Sequence, residues 1–479
     1  MNLVKRFIST ILSLSFFGPG VSAAGFALNY EEFLPKSNDF GTEVFYCAEK
    51  SGELTDYLST KRLWLRMLEL RLKNDYEKFK SYGLNLDMSR GKPCKEQINL
   101  SKDMLDIITS ESDCKAANGV DCCNYGVVDG IPEAKKLFSD ILGMSSESII
   151  VGGNSSLNMM FDTISCFMFS GVNENDPWIK QGKIKFLCPS PGYDRHFAIL
   201  EYFNIEPVVV PMTKTGPDMD MIEHFVSTDE KVKGIWCVPK YSNPQGITYS
   251  DETVRRLAAL KPKASDFKIF WDNAYAIHDI RDEGENLLNI MEESKKYNNE
   301  NLPIIFCSTS KITFPGAGVA ALGASGSNLE ILRKKYSIQT IGYDKLNQLR
   351  HVKFLKDFNN ILGHMEKHRK ILEPKFDVVL GHLQKEFAES KLVTWNEPKG
   401  GYFVSVNVVN GCAKRVVSLC KEAGLVLTPA GATYPKGHDY DDSNIRIAPS
   451  YPSISELDMA MQLFCLCVKL AMVEKELET

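Results

Sequence analysis

The sequence predicts an α/β fold: a large, mostly parallel sheet flanked by helices, with a smaller α+β unit behind it. Three observations predict it. Short apolar runs alternate with amphipathic helical stretches through the middle of the chain. Polar, Gly- and Pro-rich loops follow the carboxyl ends of those runs, where parallel sheets bind ligands. The last third changes character, with a long charged helical stretch and then short strands between helices.

The length, 479 residues, exceeds what one compact core usually serves. Hydrophobic residues are 44% and charged residues 24%, the balance of a globular chain with ample core material. A net charge of -5 and scattered basic residues point away from nucleic acid. The thirteen cysteines form no CxxC, and Cys188, Cys237 and Cys307 fall within apolar runs, as expected of reduced core thiols in the cytoplasm. The amino terminus reads otherwise. Lys5 and Arg6 precede an apolar run at 7–17, and Val21, Ser22 and Ala23 resemble a cleavage site, so residues 1–23 have the form of an export signal. That run is too short to serve as a membrane anchor.

Taken in order, helical spacing of Leu58, Leu65, Leu68 and Leu72 predicts a helix over 55–82. Strands are predicted at 148–151, 184–188, 208–210, 234–238, 267–271 and 304–307, with helices such as 251–260 between them. The polar stretch 282–301 reads as a surface insertion. A helical stretch over 344–390 leads to strands at 402–408 and 444–447 and helices at 413–423 and 454–473. The expected division is a leader or extension at 1–50, an arm with part of the small domain at 51–110, a large domain at 111–345 and a small domain at 346–479.

Six places along the chain, most of them in loops, could carry chemistry. Lys311 ends STSK after a strand; desolvation there would free its amine as a nucleophile, although a solvated loop lysine fits the same stretch. Asp272 follows an apolar strand and needs a cationic partner, either a salt bridge or a protonated heterocycle. Asn243, in NPQG, offers an amide at a turn. GGNSS at 152–156 opens a helix, where backbone N–H groups and hydroxyls suit an anion or simply cap the helix. Tyr193 offers a ring face for stacking or packing. Arg446 alternates with apolar neighbours on a strand and suits a carboxylate if it points into a cleft.

The order of these elements, with NYGVVDGIPE at 124–133, resembles the fold-type I pyridoxal phosphate enzymes of the class I aminotransferase kind. SRGKP at 89–93 and KITFPGAG at 311–318 resemble the divergent bacterial aspartate aminotransferase subgroup. The resemblance runs from about residue 87 to the end. It implies a seven-stranded large-domain sheet and a pyridoxal 5'-phosphate cofactor held by Lys311 as a Schiff base. Asp272 would pair with the ring nitrogen, Asn243 and Tyr275 would bond the phenolic oxygen, and Tyr193 would stack on the ring. Asn154, Ser155, Ser156 and Ser308 would hold the phosphate. Tyr125 would reach the phosphate of the other subunit in a homodimer. Arg446 would grip the substrate α-carboxylate with help from Asn243 and the Gly91 N–H. The family's phosphate-binding arginine is absent, since Val319 occupies its place.

The reaction implied is amino transfer between an amino acid, aspartate by subgroup resemblance, and a 2-oxo acid such as 2-oxoglutarate. A lyase or decarboxylase on the same scaffold and a non-enzymatic sensor domain are the alternatives. Arg90, Lys345 and Arg350 are the candidate cations for an acidic substrate side chain. His364 and His368 lie one helical turn apart but lack the surrounding zinc motif, so no metal is expected.

Overall fold

The protein is described by a computed structural model covering residues 54–172 and 174–478, so the expected export signal lies outside the described residues. Helix α1 (Leu54–Ser81) buries Leu65, Leu68, Leu72 and Tyr76, spaced three and four apart as one helical face requires. Tyr76 closes that face by donating its hydroxyl to the Leu419 carbonyl at 2.8 Å. A short helix α2 (Lys95–Asn99) follows, then α3 (Pro132–Leu142), which begins on proline and stops at Gly143 in the left-handed region, φ 63°.

The large sheet takes strands β1 (Ile149–Val151), β2 (Lys185–Ser190), β3 (Glu206–Thr213), β4 (Val232–Cys237), β5 (Lys268–Asp272), β6 (Pro303–Ser308) and β7 (Ala320–Ala324). Their spatial order is β1-β7-β6-β5-β4-β2-β3, and a two-residue strand, Gly216–Pro217, turns back along β3 at the edge. The pairs from β6 through β3 are parallel; β7 runs against both β1 and β6. Every residue of β4, β5 and β6 is buried, as expected when helices cover both faces. Helices α4 (Ser156–Ser170), α5 (Asp194–Tyr202), α6 (Met219–Thr228), α7 (Asp251–Ala258) and α8 (Ile290–Lys295) lie between successive strands, and α9 (Gly326–Gln339) follows β7. The stretch 282–301 is not simply a surface insertion: Asn289 caps α8, and Ile290 and Met291 are buried in the core.

The predicted helix over 344–390 is two helices, α10 (Lys345–Leu355) and α11 (Phe358–Phe387). Lys356 takes a positive φ of 60°, and Asp357 then caps α11 by accepting from the Asn360 N–H. Strands β8 (Val404–Asn407) and β9 (Asn444–Ile447) pair antiparallel, Ser405 opposite Arg446, with Thr394–Trp395 on the far side. Helices α12 (Ala413–Glu422) and α13 (Ile454–Glu478) pack there. One apolar core joins α1, the second half of α11, α13 and this small sheet; two others lie on the faces of the large sheet. Among the described residues no helix is long and apolar enough to cross a membrane.

Candidate active site

The loops after β1, β2, β4, β5 and β6 open into a cavity of about 1040 Å³, closed from the other side by residues around Arg90, Phe403 and Arg446. Its floor is Asp272, the buried last residue of β5. Oδ2 of Asp272 lies 3.0 Å from His196 Nε2. A carboxylate only accepts, so that nitrogen carries the proton. His196 is fixed by a stack on Trp236 of β4, centroids 4.2 Å apart and planes 8° apart. Oδ1 of Asp272 is buried with no hydrogen-bond partner.

Lys311, in the turn after β6, is half-buried and lines the cavity. Burial pulls its pKa below the usual lysine value, and the Asp272 charge opposes that pull. Its Nζ stands 4.8 Å from the Tyr275 ring centroid. Tyr275 is buried, which pushes its phenol well up. Tyr193, just before α5, meets the His196 ring edge-on at 5.0 Å and is pushed up to about 12, first by burial and then by the Asp272 charge.

Arg446 reaches the cavity from β9. It is buried and donates to Asn243 Oδ1 at 3.1 Å, Asp194 Oδ1 at 3.2 Å and Thr428 Oγ1 at 3.1 Å. The Phe403 ring packs under its guanidinium at 4.7 Å. These contacts hold the fork in place. Gly91 lines the cavity against the same phenylalanine; a Cβ there would come within 2.6 Å of the ring. Arg90 lines the cavity and is exposed.

At the opposite end Ser155 and Ser156, at the start of α4, line the cavity, whereas Asn154 is exposed and does not. Ser308 is buried, and its hydroxyl meets that of Ser310 at 2.8 Å; Ser310 is the one at the wall. Val319 is a core residue whose N–H donates to Thr309 Oγ1 at 2.9 Å. Tyr125 is 82% exposed and is not among the lining residues. Lys345 is buried and donates to the carbonyls of Asn124 and Gly126, at 2.6 and 2.9 Å, so it braces the Tyr125 loop. Arg350 is not among the lining residues either. His364 and His368 face the Ile312 carbonyl.

Sequence reasoning passed over Arg195, His196 and Ser310, each within three residues of a position it named. The position of Arg195 and His196 in the first turn after the Tyr193 loop was the available signal. Thr428 and Phe403 had none, because their partner Arg446 is remote in the chain.

The sequence model of the family described as aspartate amino-transferase matches residues 64–479. An aspartate aminotransferase of Corynebacterium glutamicum is 42% identical over 404 residues, covering 84% of this chain and 93% of that protein. A crystal structure of an aspartate transaminase from the same organism superposes with a TM-score of 0.83 at 42% identity, covering 86% of this chain and 97% of that one. An alpha-aminoadipate aminotransferase from Thermus thermophilus, solved with a phosphopyridoxyl-leucine adduct, shares the fold with a TM-score of 0.65 at 19% identity, over 82% of this chain and 93% of that one. A match of this length and identity settles membership: the chain belongs to the aspartate aminotransferase family and is a pyridoxal-phosphate-dependent transaminase.

Proposed function

We propose that the chain moves the amino group of aspartate to 2-oxoglutarate, with Lys311 as the lysine that takes up the cofactor. The observation that carries this reading is that Lys311, its amine pulled below the usual lysine value by burial, and a buried, half-satisfied Asp272 line one cavity. Bound pyridoxal phosphate supplies a protonated ring that accepts the electron pair left on the substrate α-carbon. The residues suit that ring. Asp272 Oδ1 is a vacant buried acceptor for a ring N–H, and His196 steadies the other oxygen. Asn243 gives its Oδ1 to Arg446, which leaves its amide N–H groups to donate to the phenolic oxygen beside Tyr275. Tyr193 stacks on the ring. Ser155, Ser156 and Ser310 and the first N–H groups of α4 hold the phosphate, with Ser308 bracing Ser310. Lys311 Nζ, as the free amine nearest the cofactor's place, would carry the substrate α-proton.

Arg446 grips the α-carboxylate, assisted by Asn243 and the Gly91 N–H. Arg90 reads the second carboxylate, with Arg195 as the other candidate. Cations at the cavity wall, including Lys414 and Lys421, outnumber the acids Asp194 and Asp272, which favours a dicarboxylate. The name of the Corynebacterium glutamicum relative supports the same donor. We also propose a homodimer in which the exposed Tyr125 reaches the partner's phosphate, and the cytoplasm as the compartment, on the core placement of Cys188, Cys237 and Cys307.

Adding aspartate to the holoenzyme tests the donor. Loss of the visible cofactor band and its return with 2-oxoglutarate are expected; a band unmoved by aspartate but lost with another amino acid overturns the aspartate reading. Lys311→Ala is expected to remove the band, and a persisting band means another lysine takes up the cofactor.

A further inference from the structure

Four of the chain's eight histidines, His278, His351, His364 and His368, lie close to the turn that carries Lys311, and the proposed reaction uses none of them. The Ile312 carbonyl is buried, with His364 Nε2 at 2.8 Å and His368 Nε2 at 3.0 Å. Because a carbonyl only accepts, we assign a proton to each nitrogen; Ser101 Oγ, 3.4 Å from His364 Nε2, then accepts from the same N–H, and the 3.2 Å between the two Nε2 atoms is a contact of two donors.

The tautomer of His368 follows from its neighbours. Gln97 Oε1 accepts from the Cys94 N–H, which fixes the amide orientation. The Gln97 NH2 then donates to Tyr402 Oη at 2.8 Å and to His368 Nδ1 at 3.0 Å. His368 is therefore neutral, with its proton on Nε2, facing Ile312. One residue on, the Thr313 hydroxyl meets His351 Nε2 at 2.9 Å, and His351 Nδ1 faces the Asn347 carbonyl at 2.8 Å.

The pair occupies a particular place on α11. Ile361 and Met365 belong to a core of the large sheet, and Leu372 and Phe376 belong to the core of the small one. His364 and His368 sit where the helix passes between them. Tyr402, at the far end of the network, precedes Phe403, the ring under Arg446.

We propose that His364 and His368 are positioning residues for Lys311: their two N–H groups clamp the Ile312 carbonyl and fix where the adjacent lysine amine stands. The clamp rests on the reading of Lys311 given above. It also ties the lysine turn, through Gln97 and Tyr402, to the segment that backs the substrate-carboxylate arginine. Loss of one donor leaves the Ile312 carbonyl with a single partner, while the Ile312 and Thr313 N–H groups still donate to the Thr309 carbonyl, so the turn persists and the amine shifts relative to Asp272 and Tyr275.

The test compares His364→Phe, which keeps a ring but has no donor, with His364→Gln, whose amide nitrogen can replace Nε2. Two readouts are taken on the holoenzyme: the pH midpoint of the lysine–cofactor band, and kcat and KM. A third uses the apoprotein, where acylation of Lys311 is mapped by peptide mass across pH. For His364→Phe the midpoints are expected to shift by about half a pH unit or more. In the same variant kcat falls about tenfold while the KM for the amino acid stays within about twofold. His364→Gln is expected to restore both. Wild-type midpoints and kcat in folded His364→Phe overturn the proposal, as does an equal loss in both variants that follows thermal stability alone. Should His364→Phe not fold, Tyr402→Phe removes only the distant hydroxyl; a smaller shift of the Lys311 midpoints is expected, and unmoved midpoints overturn the clamp. A band that persists in Lys311→Ala sinks the lysine assignment itself, whereas a band lost there but unmoved in His364→Phe sinks the clamp alone.

Discussion

Asp272 accepts from His196 with one oxygen and keeps its other oxygen buried and unpartnered. A vacant acceptor in so dry a place is costly unless something fills it. Asp272→Ala is expected to lose about 3–5 kcal/mol of interaction with the cofactor ring, or roughly two to four orders of magnitude in activity. His196→Phe keeps the stack on Trp236 but removes the N–H, and a smaller loss of about tenfold is expected. Cofactor titration and steady-state rates check both; near-normal turnover in Asp272→Ala would refute the assignment.

Gly91 has no room for a side chain. A Cβ would meet Phe403 Cζ at 2.6 Å, and Phe403 supports Arg446. Gly91→Ala is therefore expected to displace the ring and loosen the guanidinium, raising the KM for the amino acid about tenfold. The cofactor band should stay in place, because the phosphate residues Ser155, Ser156 and Ser310 lie at the other end of the cavity and Lys311 is not bonded to Phe403 or Arg446. An unchanged KM would show that Phe403 does not hold the arginine.

Lys345 distinguishes bracing from specificity. Lys345→Met removes two charge-assisted bonds to the Tyr125 loop and is expected to cost about 1–3 kcal/mol of stability. Weaker dimerisation and cofactor retention should accompany it, with KM for aspartate unchanged within about twofold. A raised KM in a fully stable protein would instead make Lys345 a substrate contact.

The buried imidazoles set an acid limit. His351 and His368 are both pulled down to about 4, chiefly by burial. An unfolded histidine takes its proton near pH 6.5. As pH falls below that value the unfolded chain binds protons that the folded chain refuses, so stability falls until pH reaches about 4 and is level below it. Each histidine contributes a slope of about 1.4 kcal/mol per pH unit in that window. Urea unfolding between pH 4.5 and 7 reads it; His368→Gln should flatten the slope, and an identical slope would sink the account.

Much of the scaffold was legible. The strand predicted at 148–151 is Ile149–Val151, and that at 267–271 is Lys268–Asp272, because strands buried on both faces are continuous apolar runs. The edge strand was not: only 208–210 was predicted of Glu206–Thr213, since Pro207 and Pro211 are tolerated where one side of the strand has less to pair with. The break at Lys356 carried no glycine to announce it.

From residue order alone came the alternation of elements, the loops that gather at the strand ends, and the candidates Lys311, Asp272, Asn243 and Arg446. The elements follow from local periodicity and turn chemistry, which the chain carries within a few residues; the four candidates were ambiguous singly and rest on the order of their motifs, which resembles the family. Folding decided which way Arg446 points, that Lys345 is occupied by carbonyls, and that two imidazoles close on Ile312. Such partners lie tens to hundreds of residues apart. Their contacts are set by how whole helices pack, which no local pattern encodes.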